Sequence, residues 1–104
     1  VENRLAGMDC NPYLGIAASL ACGLLGLIEE ERPDKQFKGD AYDGEEDIPR
    51  TLGEALNIFD EATDLHDILH PEFARVYSIV KRAEYEEFLQ VISPWEREHL
   101  LLNV

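Results

Sequence analysis

Glu2 and Arg4 stand two residues apart near the start of the chain, with Asn3 between them. In an extended strand this spacing places a carboxylate and a guanidinium on one side. A carboxylate suits a hard divalent cation and a guanidinium suits an oxyanion, so the pair can hold a metal and an anionic substrate group together. The same spacing also makes an ordinary ion pair or an exposed strand end, and the residues alone favour that plainer reading. His66 and His70 are four apart, with Asp67 between them and Glu72 after, a spacing that binds zinc when both rings share a helix face. Pro71 pushes the residue before it out of the α region. The two rings are therefore expected to point apart and to serve capping or surface roles. His99 is expected to meet the last carbonyls of its helix. The acidic run Gly44-Glu45-Glu46-Asp47 lacks the spacing of a calcium loop and reads as a solvated loop. Lys81 and Arg82, with Glu84, Glu86 and Glu87, read as an exposed helix face with local ion pairs. The chain has no Gly-rich phosphate loop, Ser/His/Asp set or Cys-x-x-Cys.

The elements that must position these residues begin with the stretch from Asn11 to Ile28, which holds no charged residue. Apolar residues on every side predict a helix packed on all faces. Asn11 is its N-cap and Pro12 its first residue, and it ends at about Ile28 or Glu31. Gly15, Ser19 and Gly23 recur every four residues, as do Ala18, Cys22 and Gly26. Two such rows of small side chains let neighbouring backbone come close. Residues 1–10 read as a strand end and a turn, 11–31 as the buried helix, 32–50 as a loop and 51–104 as helices. Thr51 with Glu54, and Ser93 with Glu96, form capping boxes. Leu52, Ala55, Leu56, Phe59 and Ala62 make one amphipathic stripe. A short helical turn follows through Leu69. Pro71 opens a long helix to about Ile92, whose apolar side is expected to be Phe73, Val76, Tyr77, Val80, Phe88 and Ile92. The fold class is mainly α, with at most a short strand at the N-terminus.

The chain has 104 residues, enough for one domain or a piece of one, and its first residue is Val1, which reads as the start of a piece of a longer protein. A net charge of −13 disfavours nucleic acid and anionic membrane surfaces. Small-residue rows also occur in transmembrane helices, but Glu29-Glu30-Glu31 follows directly and no basic cluster flanks the apolar run, so no membrane insertion is expected. Cys10 and Cys22 form no disulfide framework and read as packing residues, which fits a reducing, cytoplasmic setting.

Glu2-Asn3-Arg4, then Gly7-x-Asp9-x-Asn11-Pro12-Tyr13-Leu14, then Ala17-Ala18-x-Leu20-Ala21-x-Gly23-Leu24-x-Gly26-x-Ile28, resembles the C-terminal part of the glutamine synthetase family. The resemblance continues through Gly39-Asp40-Ala41-Tyr42, Ile48-Pro49-Arg50-Thr51-Leu52-x-Glu54-Ala55 and Val80-Lys81-x-Ala83-Glu84-Tyr85-x-x-Phe88. It ends at Ser93-Pro94-Trp95-Glu96-Arg97. It looks closer to the γ-glutamylpolyamine synthetase branch than to the ammonia-using bacterial enzymes, which typically carry Phe-Pro where this chain has Leu5-Ala6.

The resemblance implies an ATP-dependent ligase that joins glutamate to ammonia or an amine through a γ-glutamyl phosphate, with ATP and Mg2+ or Mn2+ as cofactors. It implies that Glu2 is a metal ligand and that Arg4 contacts substrate glutamate or the phosphate developing on it. The family's other metal glutamates, its metal-binding histidine, its nucleotide-contacting arginines and the loop that closes over substrate lie upstream of the matching stretch. None of His66, His70 and His99 fits the motif of that histidine. The chain by itself is therefore expected to be an inactive fragment, with the full-length protein a homo-oligomer, a dodecamer in the family. The fragment's helix 11–28 is expected to be partly exposed or covered by a second copy. The alternative from another class is a stand-alone helical interaction module that docks through that helix.

Overall fold

A computed structural model describes residues 2–33, 35–36, 38–39 and 48–101. Among them the chain forms five helices and no strand: α1 (Pro12–Ile28), α2 (Leu52–Glu61), α3 (Thr63–Leu69), α4 (Pro71–Leu89) and α5 (Pro94–His99). Residues 2–5 form no strand, because no described segment offers them a ladder to pair with. The acidic run 44–47, the Asp40-Ala41-Tyr42 part of the resemblance and much of the expected 32–50 loop lie outside the described residues.

α1, α2 and α5 start where local capping chemistry directs. The Asn11 side-chain oxygen accepts from the Tyr13 N–H at 3.0 Å and the Leu14 N–H at 3.4 Å, with Pro12 at the first position. Thr51 and Glu54 exchange side-chain and backbone bonds at 3.2 Å each way, and Glu54 also accepts from the Arg50 N–H. Ser93 and Glu96 form the second capping box. α1 stops at Ile28. The Glu31 N–H donates to the Gly26 carbonyl at 2.9 Å and the Glu30 N–H to Leu27 at 3.4 Å, with Glu30 at φ 54°. This is a Schellman ending built on glutamate instead of glycine.

α2 packs on α4, α3 on α4, and α1 on α3. Leu56, at 2% exposed, is buried with Ala74, Ser78 and Ala21. Phe59 meets the Tyr77 ring edge-on at 5.6 Å and the His66 ring at 4.8 Å.

The face of α4 that does this packing differs from the expected one. Ala74 and Ser78 are buried and Tyr77, Lys81, Arg82 and Tyr85 half-buried, while Phe73, Val76, Val80, Phe88 and Ile92 are exposed. Only Tyr77 belongs to both sets. α2 approaches over the small side chains of Ala74 and Ser78. Gly53 sits under the Tyr85 ring, so close that a Cβ there would lie 2.9 Å from Cε1. Small residues admit a neighbouring backbone that Val and Phe would hold off.

α1 is likewise sided within this chain. Leu14, Gly15, Ala18, Ala21, Leu25 and Gly26 are wholly or partly covered. Tyr13, Ile16, Leu20, Leu24 and Leu27 form an exposed apolar stripe on the other side, Leu20 at 70% and Leu27 at 78%. The helix is therefore open along one face, the partial exposure expected of residues 11–28 in this chain by itself. The total accessible area is 9789 Å², against about 5,900 Å² for a compact monomer of this mass. The radius of gyration is 17.5 Å, against about 13 Å for a compact domain of about 100 residues.

Candidate active-site segment

Segment 2–10 leads into α1 through a turn closed by the Cys10 N–H on the Gly7 carbonyl at 3.2 Å. It is folded back along the first of the small-residue rows. The Asn3 amide nitrogen donates to the Ser19 hydroxyl at 3.0 Å, and the Ser19 hydroxyl donates to the Gly15 carbonyl at 2.9 Å. A Cβ on Gly15 would lie 3.3 Å from the Cys10 sulfur and 4.0 Å from the Ala6 Cβ. Gly15 and Ser19 therefore receive the chain's own N-terminal segment. Gly23, further along the row, faces open space.

Glu2 and Arg4 are brought together: Arg4 Nε donates to Glu2 Oε1 at 2.5 Å, with the side chains 85% and 71% exposed respectively. An exposed pair of this kind contributes at most about 1 kcal/mol, so either group can exchange its partner for a stronger one. Glu2 offers oxygen ligation to a hard cation, but it is a single ligand. No group of three or more His, Cys, Asp or Glu poised for a metal occurs among the described residues. One exposed carboxylate does not by itself make a metal site.

His66, His99, Lys81 and Arg82 make contacts within the chain. His66 Nε2 is 2.6 Å from the Phe59 carbonyl, which ties α3 to the end of α2. His70 has φ 78° at the α3–α4 junction, so the two histidines do not share a helix face. His99 Nδ1 is 3.1 Å from the Trp95 carbonyl, and its ring stacks on Trp95 at 4.8 Å. Lys81 pairs locally with Glu84 at 2.6 Å, as expected of an exposed helix face. Arg82 does not: it reaches across to Asp60 and to Asn57, at 3.1 Å, on α2. Its partners are set by packing, and helical spacing could not reveal them. Cys10 and Cys22 are free thiols and both are exposed; of these two expected packing residues, Cys10 rests its sulfur over Gly15.

A groove of about 730 Å³ runs between α1 and the other helices, walled by Leu14, Ala18, Phe59, Leu65 and Phe73. Asp9 and Lys81 also line it, whereas Glu2 and Arg4 do not. It is a gap in packing, separate from the Glu2–Arg4 pair. No described helix is long and apolar enough to cross a membrane.

The family described as glutamine synthetase, catalytic domain, matches residues 1–100. Type-1 glutamine synthetase 2 of Dictyostelium discoideum is 35% identical over 96% of this chain and 20% of its own length. Glutamate–isopropylamine ligase of a Pseudomonas species is 37% identical over 92% of this chain and 22% of its own length. The γ-glutamylputrescine synthetase of Escherichia coli is 36% identical over 99% of this chain and 22% of its own length. The chain thus spans about a fifth of the length of these curated relatives. No solved structure matches it. A helical chain that carries the Glu-Asn-Arg segment and matches the catalytic-domain family over residues 1–100 belongs to the glutamine synthetase family.

Proposed function

We propose that this chain is the C-terminal part of the catalytic domain of an ATP-dependent ligase, which joins glutamate to ammonia or an amine through a γ-glutamyl phosphate. The family match over residues 1–100 carries this reading. The open apolar stripe of α1 supports it, since a helix covered on one side only has room for the rest of a catalytic domain against the other. Relatives named for isopropylamine and for putrescine lend support to an amine as acceptor, in the γ-glutamylpolyamine synthetase-like branch.

Within that reading Glu2 is a ligand to Mg2+ or Mn2+, and Arg4 binds the carboxylate of glutamate or the phosphate formed on it. The bound metal neutralises charge that develops on phosphate oxygens. Glu2 supplies a hard oxygen to hold that ion. Arg4 supplies a planar fork of N–H donors that orients an oxyanion. The 104-residue chain alone is inactive, and the full-length protein is a cytoplasmic homo-oligomer.

The test is coupled ADP release by the full-length protein over a panel of amines that includes ammonia. Turnover is expected with glutamate and at least one acceptor, and Glu2→Ala is expected to abolish it. A full-length protein that turns over normally with Glu2→Ala would sink the site assignment. The rival reading, a stand-alone helical module, draws on the same α1 stripe. It requires the isolated chain to bind a partner tightly without upstream residues.

A further inference from the structure

We propose that Asn3 and Ser19 are positioning residues that set the Glu2–Arg4 pair against α1, an inference that rests on the reading of Glu2 and Arg4 as site residues. Among the described residues, segment 2–5 pairs in no strand ladder. A short chain of hydrogen bonds, whose donors and acceptors are all determined, ties it to α1. The Ser19 hydroxyl gives its proton to the Gly15 carbonyl at 2.9 Å, which leaves only its lone pairs for a partner. Asn3 must then present its NH2 to Ser19, and it does so at 3.0 Å. The Asn3 carbonyl oxygen is thereby left for the Leu5 N–H, which can only donate and lies 3.0 Å away. An amide flipped the other way would set two donors against each other at Leu5.

Asn3 lies between the two site residues, so fixing its side chain and the backbone at Leu5 fixes where Glu2 and Arg4 leave the chain. Gly15 makes the approach possible, because the Cys10 sulfur occupies the space beside its Cα. The pairing of small residues with Asn3 gives the Gly15–Ser19 row a purpose that helix packing does not.

The test uses the full-length protein with Asn3→Ala, Ser19→Ala, Ser19→Thr, the double alanine variant and Glu2→Ala. Mn2+ binding is titrated without substrates, and amide hydrogen exchange is followed over residues 2–10. Glu2→Ala is expected to remove one Mn2+ site. Asn3→Ala and Ser19→Ala should each weaken that site about tenfold, the scale of lost partners behind metal ligands, and speed exchange at Leu5. The double variant should be no worse than either single one, because both break one connection. Ser19→Thr keeps the hydroxyl and should keep the affinity. Wild-type Mn2+ affinity in Asn3→Ala and Ser19→Ala, or effects that add, would overturn the positioning role while leaving Glu2 as a ligand. Mn2+ binding that survives Glu2→Ala would instead remove the site reading and this proposal with it.

Discussion

Asp60 accepts hydrogen bonds from the Ser78 hydroxyl, at 2.6 Å, and from Arg82, so one carboxylate joins α2 to two turns of α4. The Ser78 bond, then the Arg82 bond, hold its carboxyl below the usual carboxylate range. A folded pKa below the unfolded one contributes stability that is complete above the unfolded value, about pH 4. That contribution is lost as pH falls through the folded value. Asp60→Asn should therefore lower stability at pH 7 and remove part of the loss seen below about pH 4. The half-exposed setting keeps the effect to about 1 kcal/mol or less. Denaturant titrations at pH 7 and pH 3 check this, and a constant difference between the two proteins at both pH values would contradict it. Nothing in the spacing of Asp60, Ser78 and Arg82 announces this contact, because it joins residues about twenty positions apart. Glu2 and Arg4 were legible in a different way. Their types suggested a metal and an oxyanion, but an ion pair is equally good chemistry for the same spacing, and an ion pair is what this chain forms.

The helices as elements follow their sequence closely at the N-terminal ends. Asn11-Pro12, Thr51 with Glu54, and Ser93-Pro94 with Glu96 are local devices, complete within four residues, and each one caps a helix as read. The end of α1 is less economical. Glu30 takes a left-handed conformation, at φ 54°, that a side chain resists. It also adds negative charge at the negative end of the helix dipole. Glu30→Gly should relieve both and raise stability by about 0.5–1 kcal/mol, whereas Glu30→Ala should give little. Thermal melts of the two variants beside the parent make the comparison, and a melting temperature unchanged or lowered by glycine would refute it. The buried side of α4 could not be read from the pattern. Phe73, Val76 and Val80 make a fair apolar face, but Ala74 and Ser78 let α2 come nearer, and close approach decided the packing.

For the whole molecule, an accessible area well above that of a compact monomer of this mass has a direct consequence. The stripe of Tyr13, Ile16, Leu20, Leu24 and Leu27 needs a cover that the described residues do not supply. In the proposed full-length enzyme the rest of the catalytic domain provides it. The chain expressed alone should then self-associate through residues 11–28 and bind a hydrophobic dye. Light scattering should give a mass above the 11.8 kDa of one chain, and Leu20→Glu with Leu24→Glu should return it towards one. A monomeric, compact chain that binds no dye would count against this account.

The sequence by itself determined the helices, their caps and, through its ordered motifs, the glutamine synthetase family. These depend on neighbours within a turn or on residue order, and both are written along the chain. Only the tertiary structure decided which side of α4 is covered, that Arg82 crosses to Asp60, and that Gly15 and Ser19 receive the segment bearing Glu2 and Arg4. Each of those outcomes rests on how closely two backbones approach. That distance depends on side chains far apart in sequence, and periodicity along one helix does not encode it.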